Sequence, residues 1–391
     1  MSLLKPTSVR MNSEQQYIDL YRESRDALMA GSDDVMNAAR DKAFGDFCRL
    51  GLPTKKVERY KYIDVQGVLP VAGVEAAGSM ALSISETVKK NPDFIAGFYG
   101  QLASTETDAL TALNTMFAQD SLFIHIKKNT RASELLEIEN PAERVLIILE
   151  EGAELRLLFH YTTKQKETFP VQVIEAFVGD NAHLDFYSIE DTDTGSVRFS
   201  NLYIKEGRNS NVSHNQITLR NGVTRNMINL MFCGEGGECS LNGCVIADRK
   251  QFVDNNTLIV HRVGHCTSNE LYKYVLNDEA VGAFAGRVLV EKGAQKTVSQ
   301  ETNQNLCGSK TARMFTQPML EIYADDVKCS HGSTVGQMND AVLFYMQQRG
   351  IPIKEARLLL QHAFVNEVLD KIGYEPLKER LSELVEMRFR E

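Results

Sequence analysis

Nothing in the 391-residue sequence stays apolar long enough to cross a membrane. Its aliphatic runs are short, as in Val145–Leu149, against the ~18 residues of a candidate span. The first thirty residues carry Lys5, Arg10 and Arg22 and no apolar core, so they do not read as a signal peptide. A basic excess is also missing. With 43 Lys and Arg against 52 Asp and Glu, the formal charge is −9, which argues against a nucleic-acid partner. Cysteine is sparse, odd in number at seven, and never spaced Cys-x-x-Cys. That excludes a disulfide framework and a locally written zinc or ferredoxin-type site. Together these absences place the chain in a reducing cytoplasm, with no membrane or nucleic-acid partner.

Familiar catalytic motifs are absent too. Gly308-Ser-Lys310-Thr311 resembles the end of a phosphate loop, but Asn303 stands where the first glycine is required. Gly234-Glu-Gly236-Gly237 reads as a turn. Asn211-Val-Ser213 and Asn255-Asn-Thr257 are glycosylation sequons only in a secreted protein. No nucleophile–histidine arrangement is identifiable, so hydrolase chemistry finds no support.

What is present divides into three zones. With 43% apolar and 24% charged residues, the composition is that of a globular protein with a sizeable core. Residues 1–120 read as mainly helical. A first helix spans Ser13 to Ala30 and stops at Gly31; a second is capped by Ser32 and runs through Arg49; a third spans Glu106 to Phe117. Between them, Lys55–Tyr62 reads as a solvated loop pinned by tyrosines. Residues 121–335 alternate short strands with glycine-bearing turns. Gly152, Gly179, Gly207, Gly237, Gly264 and Gly293 recur at intervals of 27, 28, 30, 27 and 29 residues. A coil of ~28 residues with strands stacked ~4.8 Å apart describes a parallel β-helix, which makes the fold mainly β. Residues 336–391 return to helix, with Asn339 as a cap, Pro352 opening the next helix and Glu375–Arg390 the last. Their apolar stripe is expected to cap the end of the solenoid or to meet a partner.

Two cysteine groupings read as packing. On the glycine alignment, Cys239 and Cys266 each follow a turn glycine by two residues, which would stack them on adjacent turns. His261, His265 and Cys266 would be metal-like on a helix but lie in strand-rich sequence. The strongest local signal is Tyr323-Ala-Asp-Asp-Val-Lys-Cys329-Ser-His331-Gly-Ser-Thr-Val335-Gly. In extended chain, Cys329 and His331 project to one side. Thiolate and imidazole suit zinc or iron, and two ligands make half a site, to be completed across an interface. A purely structural strand end is the alternative.

The sequence resembles the SufB/SufD family of iron–sulfur cluster assembly proteins, and within it the SufD branch. The resemblance is carried by Leu320–Gly336, by Leu343-Phe-Tyr-Met-Gln-Gln-Arg-Gly-Ile351, by Ala112–Phe117 running into Phe123-Ile-His-Ile126, and by Glu58-Arg-Tyr-Lys-Tyr62. It implies a right-handed parallel β-helix core flanked by helical regions. It also implies a non-enzymatic scaffold that pairs with SufB through the β-helix ends, and a C-terminal helical domain, 336–391, that docks the SufC ATPase. His331, with Cys329 beside it, would then face a transient iron or iron–sulfur cluster shared with the partner. Reduced flavin is associated with complexes of this family, but this chain carries no flavin signature. A SufB-like scaffold, or a self-pairing assembly protein using the same edge, is the alternative within the family. Cys307 lies near the region where SufB carries its key cysteine, and that role is not carried over.

Overall fold

The computed structural model describes residues 13–30, 34–69, 92–119, 121–163 and 169–391. The expected stop at Gly31 and cap at Ser32 lie outside them. Helices come first: α1 (Ser13–Ala30), α2 (Asp34–Leu50), α3 (Val65–Val68), α4 (Pro92–Ala96) and α5 (Ala109–Phe117), with a 3-10 turn at Glu58–Tyr60. The third expected helix begins at Ala109 rather than Glu106, because the Asp108 carboxylate accepts the Thr111 amide proton and caps it there.

The strands follow in strict alternation between two sheets. One sheet holds β1 (Ser121–Ile126), β3 (Arg144–Leu149), β5 (Val171–Val178), β7 (Val197–Glu206), β9 (Val223–Phe232), β11 (Phe252–His261), β13 (Val281–Val290) and β15 (Arg313–Ile322). The other holds β2 (Arg131–Glu139), β4 (Glu154–Thr162), β6 (His183–Asp191), β8 (Asn211–Arg220), β10 (Glu238–Ala247), β12 (Thr267–Leu276), β14 (Val298–Cys307) and β16 (Lys328–Gln337). Each strand pairs in parallel with the strands two before and two after it, so the chain winds as a two-sheet parallel β-solenoid. Three helices close the chain: α6 (Asp340–Gln348), α7 (Ile353–Leu369) and α8 (Glu375–Arg390). Asn339 caps α6 by accepting from Ala341 and Val342.

The turn before each even strand from β2 to β14 holds a left-handed residue at one fixed place, two residues before the strand: Asn129, Gly152, Asn181, Asn209, Gly236, His265 and Lys296, all at positive φ. Asparagine tolerates that conformation nearly as well as glycine, so the turn marker is often not a glycine. Glycine-based alignment therefore finds the period but drifts in phase. Cys239 pairs in register with Val212 and Ser268, while Cys266 precedes β12 where Gly237 precedes β10. The expected Cys239–Cys266 ladder is thus displaced by two residues. The two histidines separate as well. His261 is buried, stacks on Phe232 with centroids 4.7 Å apart and bonds Ser268 at 2.9 Å, while His265 forms the turn.

The flanking helices cover opposite sides of the coil. Buried side chains of α1, α2 and α5 pack with Val171 and Phe199 of the odd sheet. Val365, Val368, Leu377, Leu381 and Val385 of α7 and α8 cover the outer face of the even sheet over Leu158, Tyr187, Ile217 and Leu271. The C-terminal apolar stripe therefore covers a sheet face and leaves the end of the solenoid open, contrary to the end-capping alternative. At the other flank, Lys55–Tyr62 is more than a solvated loop. Tyr60 is buried, donates to Asp108 at 2.5 Å, and lies under the Arg225 guanidinium, 4.1 Å from its ring centroid. Arg225 in turn pairs with buried Asp254 at 3.4 Å. Further along the odd sheet, Tyr62 stacks on Phe315, and Gln317 bonds both Tyr62 and Glu58.

Candidate functional site

The last turn of the solenoid is where the sheets stop being covered. In the strand pairing, β15 has only β13 as a neighbour and β16 only β14, so each keeps one edge unpaired among the described residues. Neither strand contains a fully buried residue, and Phe315, Ile322, Tyr323 and Val335 expose apolar surface there. An unpaired edge flanked by apolar side chains is a surface that another chain can extend.

Cys329 and His331 lie on β16, one residue apart, on the same face of the strand. Register shows which face it is. Cys329 pairs with Ser299, which follows Ser268, Cys239, Val212, Leu184 and Leu155 down the even sheet. His331 pairs with Glu301, which follows Glu270, Leu241, His214, Phe186 and Leu157. Leu155, Leu157 and Phe186 belong to the main interior core, so both files run along the inside of the coil. The pair thus stands at the mouth of the solenoid interior. Cys329 is half-buried, and burial raises its thiol pKa while the Ser299 backbone opposes the rise; His331 is exposed.

Behind the mouth the interior is polar. The Ser268 hydroxyl donates to Ser299 at 2.8 Å. Asn305 donates to Asn303 at 2.6 Å and to the Thr334 carbonyl at 2.8 Å. Thr316 connects Asn303 to Ser333. Glu270 and Glu301 sit one turn apart, 3% and 1% exposed, and none of their four carboxyl oxygens has a hydrogen-bond partner. Burial raises both pKa values. The Thr257 hydroxyl opposes the rise at Glu270 without reaching hydrogen-bond geometry, and the charge of Glu270 adds to the rise at Glu301. Neither glutamate stood out in the sequence. Their signal is register, Glu270, Glu301 and His331 on successive turns, which emerges only when the repeat is aligned on its left-handed turn residue.

Among the described residues no three His, Cys, Asp or Glu side chains form a finished metal cage. The other thiols do not join the mouth: Cys239, Cys244 and Cys266 are buried, and burial raises their pKa values. Cys307 ends β14 half-buried and pairs with Gln337. A groove of about 670 Å³ lies between the 3-10 turn and the outer face of the odd sheet, lined in part by Arg59, Arg262 and Arg287. Each of these arginines has an acidic partner, Asp108, Glu291 and Glu321 respectively, so the groove presents little free positive charge. Among the described residues no helix is long and apolar enough to cross a membrane.

Comparison with known proteins decides the family. Residues 131–364 match the SufBD core domain of the SUF system for FeS cluster assembly, and residues 11–71 and 73–138 match the SufBD protein N-terminal region. The chain belongs to the SufBD family. It is 28% identical to the iron–sulfur cluster assembly protein SufD of Escherichia coli over 373 residues, covering 85% of this chain and 88% of that one. A SufBD family protein of Synechocystis is 26% identical over 93% of both chains. SufD of Bacillus subtilis is 25% identical over 71% of this chain and 66% of its own length. This SufBD protein is therefore SufD-like, and its family's work is iron–sulfur cluster assembly.

Proposed function

We propose that this protein is a non-enzymatic SufD-type subunit of a cytoplasmic SUF assembly complex. In this reading the uncovered β15–β16 end pairs with a SufB-type partner, and His331, with Cys329 beside it, faces the iron or iron–sulfur cargo between them. The observation that carries it is the position of the two side chains, at the mouth of a polar interior and on a strand with a free edge. An imidazole and a thiol at an edge are half a coordination sphere, which a second chain can complete.

Residues 336–391 are proposed to dock a SufC-type ATPase. Support comes from α6, whose Phe344 and Tyr345 are 61% and 57% exposed although the helix is well capped. Large aromatic side chains left this exposed on a terminal helix favour a binding face. Nucleotide-driven movement of that partner can alter the far interface only if the two states contact this chain differently.

The test is co-expression with SufB and SufC, purification without oxygen, and a visible spectrum. His331→Ala is expected to leave the complex assembled and to abolish iron–sulfur absorption. An unchanged cluster yield would remove His331 from the mechanism. Size measurement of the chain alone and with each partner separates heteromeric pairing from self-pairing through the same edge.

A further inference from the structure

The interior carboxyl pair is set where no hydrogen bond repays its burial. A buried carboxyl without a hydrogen-bond partner costs stability, and a second one stacked a turn away adds repulsion whenever either ionises. The earlier turns place Leu157, Phe186, His214 and Leu241 at the equivalent positions, three of the four apolar and none acidic, so the file does not need a carboxyl. The coil also makes room for the acid. A Cβ on Gly286, on the facing sheet, would lie 2.0 Å from Glu301 Oε1 and 2.6 Å from its Cδ. The missing side chain of Gly286 is thus a cradle occupied by the Glu301 carboxyl. One position along the same face, the Tyr272 hydroxyl is fully buried and also lacks a partner, and the charge of Glu270 reaches it.

We propose that Glu270 and Glu301 form an internal holding site for a hard divalent cation, iron(II) in this family, entered from the open end past His331. The inference rests on the iron-facing reading of His331 and gives it a destination inside this chain. Carboxylate oxygens are the donors such a cation prefers, and the Tyr272 oxygen and water fill further positions. The exchange is balanced without redox chemistry: one Fe²⁺ enters, each carboxyl that carries a proton gives it to solvent, and the two carboxylates offset the charge of the ion. Loading would therefore depend on pH and release protons in step with metal uptake.

The test is anaerobic calorimetric titration of the purified full-length chain with ferrous ion alone, in two buffers of different ionisation enthalpy, to read both affinity and proton release. Wild type is expected to take up one ion with release of protons. Glu270→Gln with Glu301→Gln is expected to weaken binding at least about tenfold and to remove the proton release. Gly286→Ala keeps both acids but places a methyl group where the Glu301 carboxyl lies, and is expected to weaken binding in the same direction. Circular dichroism and a urea midpoint at or above wild type show that the double variant has folded. If the double variant binds and releases protons as wild type does, the internal site is overturned. If His331→Ala alone then loses the ion, the reading of the mouth survives that failure. Absence of stoichiometric ferrous binding to wild type overturns the internal site outright.

Discussion

The early turns and the last turns of the same solenoid are built on different chemistry. In β3 all six residues are buried, and the first members of two files on the even sheet are apolar, Leu155, Leu184 and Val212 in one and Leu157 and Phe186 in the other. Five turns after β4 the same files read Ser299 and Glu301, and one turn further Cys329 and His331 at the mouth. Backbone pairing is the same at both ends, so the ladder does not require a polar interior. Apolar stacking is enough to hold turns together, and each turn draws its stability from its neighbours. The polar end gives up that packing, and the side chains it has instead are metal donors and hydrogen-bonding groups. The proposed site thus falls at the end where the fold is least well packed.

The comparison is sharpest at its apolar end. Phe159→Ala should cost about 3–5 kcal/mol, read as a lowered urea midpoint, because it opens a cavity among packed rings. A loss below about 1 kcal/mol would mean the early turns are as loosely packed as the late ones.

Acid should act next most strongly, and on the middle turns. Burial lowers the pKa of His214 to about 3 and of His261 to about 4. Both imidazoles bind protons more readily in the unfolded chain, so the stability they carry is complete above pH ~6.5 and is lost as pH falls toward those values. For each imidazole this is on the order of 3 kcal/mol between pH 7 and pH 4, checked by urea midpoints across that range. The buried glutamates titrate in the opposite sense in both chains, so the effect is assigned by the difference: wild type should lose more stability between pH 7 and pH 4 than the doubly substituted His214→Gln, His261→Gln chain, and equal changes would refute it.

A gain is expected at the polar end. Glu270→Met keeps side-chain volume and removes an unpartnered buried carboxyl, so the chain should become about 1–3 kcal/mol more stable at pH 7. Destabilisation would show that Glu270 supports the fold and would erase the contrast between the two ends. The smallest effect belongs to the surface. Arg380 donates to both carboxylate oxygens of Glu137 at 2.8 Å, and its half-exposed pair joins α8 to β2. Arg380→Ala should cost under about 1 kcal/mol, because solvent screens such pairs, and should leave ferrous binding untouched.

The repeat and its period were legible in sequence because turns need a left-handed residue once per coil. Its phase was not, because Asn181, Asn209, His265 and Lys296 fill that place as well as glycine does. Cys329 and His331 could be placed on one face from spacing alone, since alternation along a strand is local. Glu270 and Glu301 could not, since a partner one turn away is found only when register is known to the residue. The C-terminal stripe was readable as amphipathic, but its target, an outer sheet face, is a property of the whole coil. Tyr60 sits in a basic stretch that looks solvated, and its burial depends on Arg225 and Asp108, both remote in the chain.

The tie between the 3-10 turn and β15 has a consequence for how the protein is made. Gln317 donates to Glu58 across 259 residues of chain. A solenoid can add turns as they leave the ribosome, each onto the one before. Tyr62 and Glu58, however, must wait until Phe315 and Gln317 have been translated, tens of seconds at ~5–20 residues per second. The earliest part of the chain is thus fastened by nearly the latest. A truncated product that stops before β15 would keep Tyr60 seated on Asp108 and Arg225 but leave Glu58 and Tyr62 without their contacts beside an open sheet edge, a place for the cell's proteases to begin.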